Sequence, residues 1–291
     1  MDAVDWGGKL LAWSAELGDQ LANMGTPAEV NERLARVRTH LGPYGVDPFG
    51  FDPDYARRFL RFGSWLYHQY FRCEAFGLGN LPPGRALLVA NHSGQLPYDG
   101  MMIAMACFLQ AEPPRAVRSM VDRFVPNVPF VSFALARLGQ VLGTPSNCRR
   151  LLDNEECIQV FPEGVSGLNK PYKQRYRLQR FGQGFMRLAL EARAPIVPVA
   201  VVGAEEQAPS LSAMRPLAKL FGLPALPLTP APLCGLVPLP VRYRLHFGQP
   251  LTFAGEANED DEAIGQRVEQ VRQALQEMLD EGVRARPHVF W

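Results

Sequence analysis

Apolar residues recur at helical spacing over roughly the first quarter of the chain and at strand-like spacing beyond it. Residues 2–22 place Leu10, Trp13, Leu17 and Leu21 on one helical face. Thr26-Pro27-Ala28-Glu29 has the form of a capping box with proline at the first helical position. Val30, Leu34, Val37 and Leu41 continue that helix until Gly42-Pro43 stops it. Asp52-Pro53 repeats the start signal, and the pattern predicts a third helix to about residue 76. Tyr55, Phe59, Phe62, Leu66 and Tyr70 fall on one side of it, widened by Leu60, Tyr67 and Phe71. Arg57, Arg58, Arg61 and Arg72 gather opposite with Trp65. Such a helix suits a lipid interface, and its periodicity suits packing against a core equally well.

From residue 78 short apolar runs at 86–90, 116–120, 158–161, 196–202 and 241–247 alternate with helical stretches at 100–110, 129–137, 147–154 and 181–193. That alternation predicts an α/β fold, with a mostly parallel central sheet flanked by helices. Ile264, Val268, Val271, Leu275 and Met278 mark a closing amphipathic helix ending near Gly282. The expected organisation is an N-terminal helical extension (1–52), the amphipathic helix (53–77), an α/β unit (78–255), and a C-terminal helix and tail (256–291). Residues 221–240 are apolar yet carry six prolines, which excludes an ordinary helix or central strand. An extended apolar loop of this kind needs a cover of protein or lipid.

Composition narrows the function classes. Of 291 residues 47% are hydrophobic, ample for a continuous core, and a net charge of +1 speaks against nucleic-acid binding. Only Lys9, Lys170, Lys173 and Lys219 are lysines among 30 basic residues. Arginine grips phosphate and carboxylate in a bidentate way, although base composition of the source gene produces the same bias. Five cysteines without a C-x-x-C pair argue against a disulfide framework and against a structural zinc site, so no metal is expected. The first residues carry Asp2 and Asp5 where a signal peptide would be basic, and no apolar stretch reaches the ~18 residues a membrane span needs. A cytoplasmic setting is the default, and whether the chain lies on the face of a membrane, peripheral or monotopic, stays open at this point.

Two motifs follow strands directly. Residues 90–99, ANHSGQLPYD, bring His92 and Asp99 together with Ser93 and Gly94 in one loop. Ligands of α/β sheets bind beyond the carboxyl ends of strands, where this loop belongs. A straight helix would hold the two residues ~10.5 Å apart along its axis. A folded loop bent at Gly94 and Pro97 would instead let the carboxylate fix the imidazole tautomer. The bland alternative is that Asn91 or Ser93 caps the next helix and His92 is incidental. Phe-Pro-Glu-Gly, residues 161–164, supplies Glu163 and Gly164, and the strand 196–202 carries Pro198.

In this order and spacing, NHSGQLPYD, FPEG and IVPVAVV resemble the lysophosphatidate (glycerolipid) acyltransferase family over roughly residues 78–250. The resemblance implies a two-layer α/β fold, a membrane-bound life, and acyl-CoA or acyl-carrier-protein as donor. It implies His92 as catalytic histidine, Asp99 as its partner, Glu163 and Gly164 as acceptor-binding residues, and Pro198 as the proline of the last motif. Three departures stand out. Six residues rather than the usual four separate His92 from Asp99; Val165-Ser166 replaces Thr-Arg after the Glu-Gly; and residues 139–146 lack the arginine of the second motif. They look like the divergent branch that includes neutral-glycerolipid acyltransferases.

The implied reaction is transfer of a fatty acyl group from a thioester to a glycerolipid or lysophospholipid hydroxyl, with the thioester as co-substrate and no resident cofactor. His92 would serve as general base and backbone N–H groups around Ser93–Gln95 as oxyanion donors. Gly164-Val165-Ser166-Gly167 fails the nucleophile-elbow spacing, so direct transfer is expected. The basic run Lys170, Lys173, Arg175, Arg177 and Arg180 suits coenzyme A phosphates, an acidic acyl carrier protein, or lipid head groups on the membrane surface. Without arginines near the Glu-Gly motif, lysophosphatidate is not expected to be the best acceptor, unless Arg149, Arg150, Lys170 or Lys173 replaces them. The rival classes are a non-catalytic lipid-binding protein on the same fold and a thioester or lipid hydrolase.

Overall fold

The computed structural model describes residues 28–93, 97–122, 131–168, 170–209, 212–213, 227–228 and 237–290. The expected helix at 2–22, Thr26-Pro27 of the capping box, Gly94 and most of residues 221–240 lie outside them.

Helix α1 (Ala28–Arg36) buries Val30 and stops short of the expected Leu41. Beyond Val37 the pattern offers only Leu41, which is 43% exposed and gives a further turn nothing to pack on. Helix α2 (Pro53–Trp65) starts as expected: Pro53 is its first residue, and Asp52 accepts from the N–H groups of Asp54 and Tyr55. It continues as one π-turn, Leu66–Tyr70, that carries Leu66, Tyr67 and Phe71 into the core. The helix then ends earlier than its periodicity predicted, because residues 74–76 find a strand partner. Strand β1 (Glu74–Phe76) pairs in parallel with a late strand, and Glu74 meets Arg244 at 3.1 Å and Arg242 at 3.4 Å.

The α/β unit continues with β2 (Ala86–Ala90), α3 (Tyr98–Leu109), β3 (Val117–Val121), α4 (Val131–Arg137), β4 (Val141–Leu142), α5 (Pro145–Asp153), β5 (Cys157–Val160), α6 (Val165–Leu168), α7 (Gly184–Ala192) and β6 (Ile196–Val202). A short α8 (Ala204–Gln207), the two-residue pair β7 (Ser212–Ala213) and β8 (Pro227–Leu228), β9 (Arg244–Phe247) and α9 (Asp261–Ala285) complete it. Seven strands form one sheet in the order β1-β9-β6-β2-β5-β3-β4. Every pairing is parallel except β6 with β9.

Alternation along the strands divides the core in two. Ala86, Leu88 and Ala90 of β2 pack with α1, α2 and α3, whereas Leu87 and Val89 pack with α5, α7 and α9. Helices therefore cover both faces, where the family resemblance implied two layers. Central strands buried on both sides have no polar face to show, which is why β2 and β6 are apolar throughout. The N-terminal extension shares this core: Arg33 donates to the Phe108 and Ala111 carbonyls at 2.7 and 2.6 Å, closing the end of α3.

Pro198 sits inside β6 without disturbing the ladder. It falls between the contacts Val199–Phe247 and Ile196–Leu251, where the neighbouring chain turns away, and its carbonyl accepts from Gly248 N–H at 2.9 Å.

Candidate active site

Strands β2 and β5 are parallel neighbours in register, Val89 opposite Val160, so the two motifs leave the same edge of the sheet side by side. Asn91 anchors the first. Its side-chain amide donates to Val201 O at 3.0 Å and accepts from Val201 N–H at 2.8 Å, extending the β6 ladder after β2 ends.

The next residue is His92. Its Nδ1 lies 2.7 Å from Asp99 Oδ2, and its ring stacks on Phe161 with centroids 4.2 Å apart. Asp99 is fully buried in the first turn of α3. It also accepts from Ser93 N–H at 3.0 Å and Gly100 N–H at 2.8 Å. Backbone donors at a helix start stabilise a carboxylate there, and the carboxylate orients the imidazole with Nε2 left for other work. The loop thus achieves the contact that a straight helix would forbid.

Gln159 of β5 holds the same turn from below, donating to Gly100 O at 3.1 Å and Ser119 Oγ at 2.7 Å. A Cβ on Gly100 would stand 2.7 Å from Gln159 Nε2 and 3.3 Å from the Phe161 ring, so an added side chain would press on the amide that holds this turn. Gly167 is similarly confined in the second motif, where a Cβ would meet the His92 carbonyl oxygen at 2.9 Å.

Glu163 is buried. Its Oε1 accepts from His92 N–H at 3.1 Å and its Oε2 from Gln179 N–H at 2.8 Å. One carboxylate therefore clamps the histidine loop to residues 170–180. The expectation that Glu163 hydrogen-bonds acceptor hydroxyls meets this occupancy: both oxygens already serve the backbone.

Lys170 was expected to face an anionic ligand. Its side chain is 2% exposed, with Nζ 3.0 Å from Glu205 Oε1 and 3.6 Å from Glu163 Oε2. Two internal carboxylates take the charge. Lys173, Arg177 and Arg180 are exposed around it, and Gly164 is exposed at the rim. Arg149 is held by Asp153 and Glu191 at 2.9 Å each, and Arg150 lies over the Phe49 ring. Ser93 lends its N–H to Asp99, so that group is not available to an oxyanion. Its hydroxyl is buried without a partner among the described residues. Gly94 lies outside them.

Asn91, offered by the sequence as a helix cap, instead pairs with Val201, and Gln159, Glu205 and Gln276 belong to this site without having been singled out in the sequence. Gln159, a polar residue inside the run Cys-Ile-Gln-Val, is the signal that could have been read. Gln276 carried none, since it reaches Leu178 N–H and Tyr176 O across about a hundred residues.

The four described cysteines are poor nucleophiles. Burial pushes the Cys73 and Cys107 thiols well above their usual range, and those of Cys148 and Cys157 to about 11. Among the described residues no group of three or more His, Cys, Asp and Glu side chains could hold a metal ion.

The mostly parallel sheet, with its two motifs side by side at one strand edge around a buried His–Asp pair, is the arrangement of an α/β enzyme. The chain belongs to the acyltransferase family, whose family model, described as Acyltransferase, matches residues 72–202. "Uncharacterized protein Rv0502" of Mycobacterium tuberculosis is 39% identical over 284 residues, 91% of this chain and 78% of that protein. The mouse "DGAT1/2-independent enzyme synthesizing storage lipids" is 25% identical over 219 residues, 75% of this chain and 62% of the mouse protein. The crystal structure of the 1-acyl-sn-glycerophosphate (LPA) acyltransferase PlsC from Thermotoga maritima shares the fold, with a TM-score of 0.54 at 17% identity over 80% of this chain and 81% of that one.

Proposed function

We propose that this acyltransferase moves a fatty acyl group from acyl-CoA or acyl-carrier-protein to a glycerolipid or lysophospholipid hydroxyl, with His92 as general base. The 2.7 Å contact between His92 Nδ1 and Asp99 carries the reading. With Nδ1 committed to the carboxylate, Nε2 takes the hydroxyl proton as the oxygen attacks the thioester carbonyl, and Asp99 stabilises the imidazolium that forms. Collapse of the tetrahedral intermediate expels a thiolate, whose conjugate acid has a pKa near ~8.5, so departure needs little acid help. The donor's phosphates and head group meet the exposed Lys173, Arg177 and Arg180. Val165-Ser166 and the arginine-free 139–146 segment favour an uncharged or more distantly charged acceptor over lysophosphatidate, because a dianion without a bidentate partner is costly in low dielectric. The mouse relative's name, which speaks of storage lipids, points the same way.

The test offers lysophosphatidate, monoacylglycerol, diacylglycerol and a larger lysophospholipid in competition, with acyl-CoA and acyl-carrier-protein as alternative donors. Thiol release that requires a lipid alcohol marks a transferase; release without one marks a hydrolase. His92→Ala is expected to cost ~10²–10⁴-fold in turnover with the fold intact, and Asp99→Asn to impair turnover more than binding. Activity of a folded His92→Ala protein within a few-fold of the parent would refute the mechanism.

The enzyme works, on this reading, at a membrane surface. No helix among the described residues is long and apolar enough to cross one. Phe59 and Phe62 of α2 are 38% and 40% exposed, edge to face at 6.1 Å, beside exposed Arg57 and Arg58. An aromatic pair flanked by guanidinium groups fits the interface between head groups and acyl chains. Replacing both phenylalanines by serine is expected to abolish flotation with anionic liposomes while leaving the unfolding midpoint nearly unchanged; undiminished flotation would assign membrane contact elsewhere.

A further inference from the structure

Three ionisable side chains bury their charges within one small volume behind the histidine loop. The side chains of Glu163, Lys170 and Glu205 are 0%, 2% and 6% exposed. Glu163 comes from the turn after β5, Lys170 from the loop after α6, and Glu205 from α8, directly after β6. Each carboxylate holds backbone as well as the ammonium. Glu205 Oε1 accepts from Tyr176 N–H at 2.9 Å, and Glu163 accepts from His92 and Gln179. A buried charge persists only with a counter-charge and filled hydrogen bonds. One ammonium serves both acids here.

The geometry points to Lys170 as a positioning residue: by neutralising buried Glu163 it keeps both of that carboxylate's oxygens as acceptors, and so sets where the His92 backbone and its imidazole stand. This rests on the reading of His92 as the base. The chemistry follows from what a carboxyl group can accept. Ionised, it takes an N–H on each oxygen and faces the ammonium; protonated, one oxygen becomes a donor with only backbone N–H groups nearby. Two buried carboxylates left without the cation cannot both stay ionised at such range.

Neighbouring charges do not relieve this. Glu206 has its own partners in Arg286 at 2.7 Å, the Tyr176 hydroxyl, and Arg175 at 3.9 Å. Burial raises the Glu205 carboxyl above its usual range, the nearby Glu163 adds to the rise, and the Lys170 charge is the main influence opposing it. Removing that charge leaves Glu163, the acceptor of His92 N–H, against a second buried carboxylate with no counter-charge between them.

The test uses the full chain labelled with [15N]histidine, the His92 amide resonance being assigned by its loss in His92→Ala. Lys170→Met is expected to shift that resonance and to make its position depend on pH, while Lys170→Arg leaves it near the parent position. In kinetics, Lys170→Met should lower kcat by about 10–100-fold with KM for donor and acceptor within about threefold, since a small displacement of a reacting group costs rate more than affinity. Lys170→Arg should restore most of kcat. Adding Glu205→Gln to Lys170→Met should flatten the pH dependence by removing the like charge. An unmoved His92 resonance with unchanged kcat in Lys170→Met overturns the inference. Equal loss in Lys170→Met and Lys170→Arg overturns it too, because volume rather than charge would then matter. If Lys170→Met does not fold, Lys170→Gln, which keeps a polar donor and loses the charge, decides: it must shift the His92 resonance, and a resonance left in place refutes the role. A parent without acyl transfer would remove the proposed function, yet the resonance would still report the positioning.

Discussion

Two buried groups of charge in this molecule share one plan and stand at opposite ends of the sheet. At the strand ends that carry His92, Lys170 is enclosed by Glu163 and Glu205. At the strand beginnings, Arg118 of β3 is enclosed by Asp47 and Glu156, the latter at 2.7 Å, with Phe49 and Phe51 against its guanidinium. The difference lies in what the carboxylates do with their remaining lone pairs. Asp47 accepts from Phe49 and Phe51 N–H groups at 2.8 Å, which folds the segment before α2 onto the sheet. Glu163 accepts from the N–H of the histidine proposed to be the base. Burial of a cation between two acids is thus no mark of function in itself; the backbone group at the far end of the hydrogen bond decides whether the charge serves the fold or the site.

Substituting Arg118 breaks that comparison most forcefully. Lys170→Met and Arg118→Met both strand two carboxylates, but only the first touches the histidine loop. Arg118→Met is expected to destabilise by ~3–5 kcal/mol, the usual consequence of unpairing buried ions, with activity per folded molecule within about twofold of the parent. Urea unfolding paired with an active-site-normalised rate measures both quantities. A stable Arg118→Met protein, or a folded one that has lost turnover, would erase the distinction between the two ends.

Much of the frame was legible because apolar periodicity is a local property. The strands Ala86–Ala90 and Ile196–Val202, the Asp52-Pro53 helix start and the closing helix were all written in consecutive residues. Strand β1 was not, since its three residues become a strand only by pairing with Arg244–Phe247 far along the chain. The same logic sorts the site. His92, Asp99 and Glu163 lay in recognisable motifs, and neighbouring parallel strands brought them together. The partners of Glu163 did not. Lys170 looked like one more member of a basic run facing an anionic ligand, and nothing in its neighbours announced that Glu205, thirty-five positions later, would enclose it. Helical periodicity left α2 open between interface and core: Phe59, Phe62, Leu66 and Tyr70 share a stripe, in which Leu66 is buried while the two phenylalanines are exposed.

His246 sharpens the comparison from the other side, as a half-buried ionisable group without an acid pair around it. It lies on β9 stacked on Phe76 at 4.8 Å, and its Nε2 is buried with no hydrogen-bond partner among the described residues. Gly282 of α9 packs directly over the ring. Burial lowers its pKa below the ordinary histidine value and Arg244 lowers it further, against weaker opposing pulls from Glu281 and Glu74. A depressed folded-state pKa means the unfolded chain binds more protons between the two values. The associated stability is therefore complete above about pH 6.5 and is lost as pH falls through the folded-state pKa. His246→Leu, which cannot take up the proton, is expected to gain on the parent as pH drops from 7 to 5. The slope stays below the limit of about 1.4 kcal/mol per pH unit for one proton, because the ring is only half-buried. Urea midpoints at pH 5, 6 and 7 measure it, and parallel curves for parent and variant would show that an unpaired imidazole in this position carries no penalty, unlike the unpaired carboxylates at either end of the sheet.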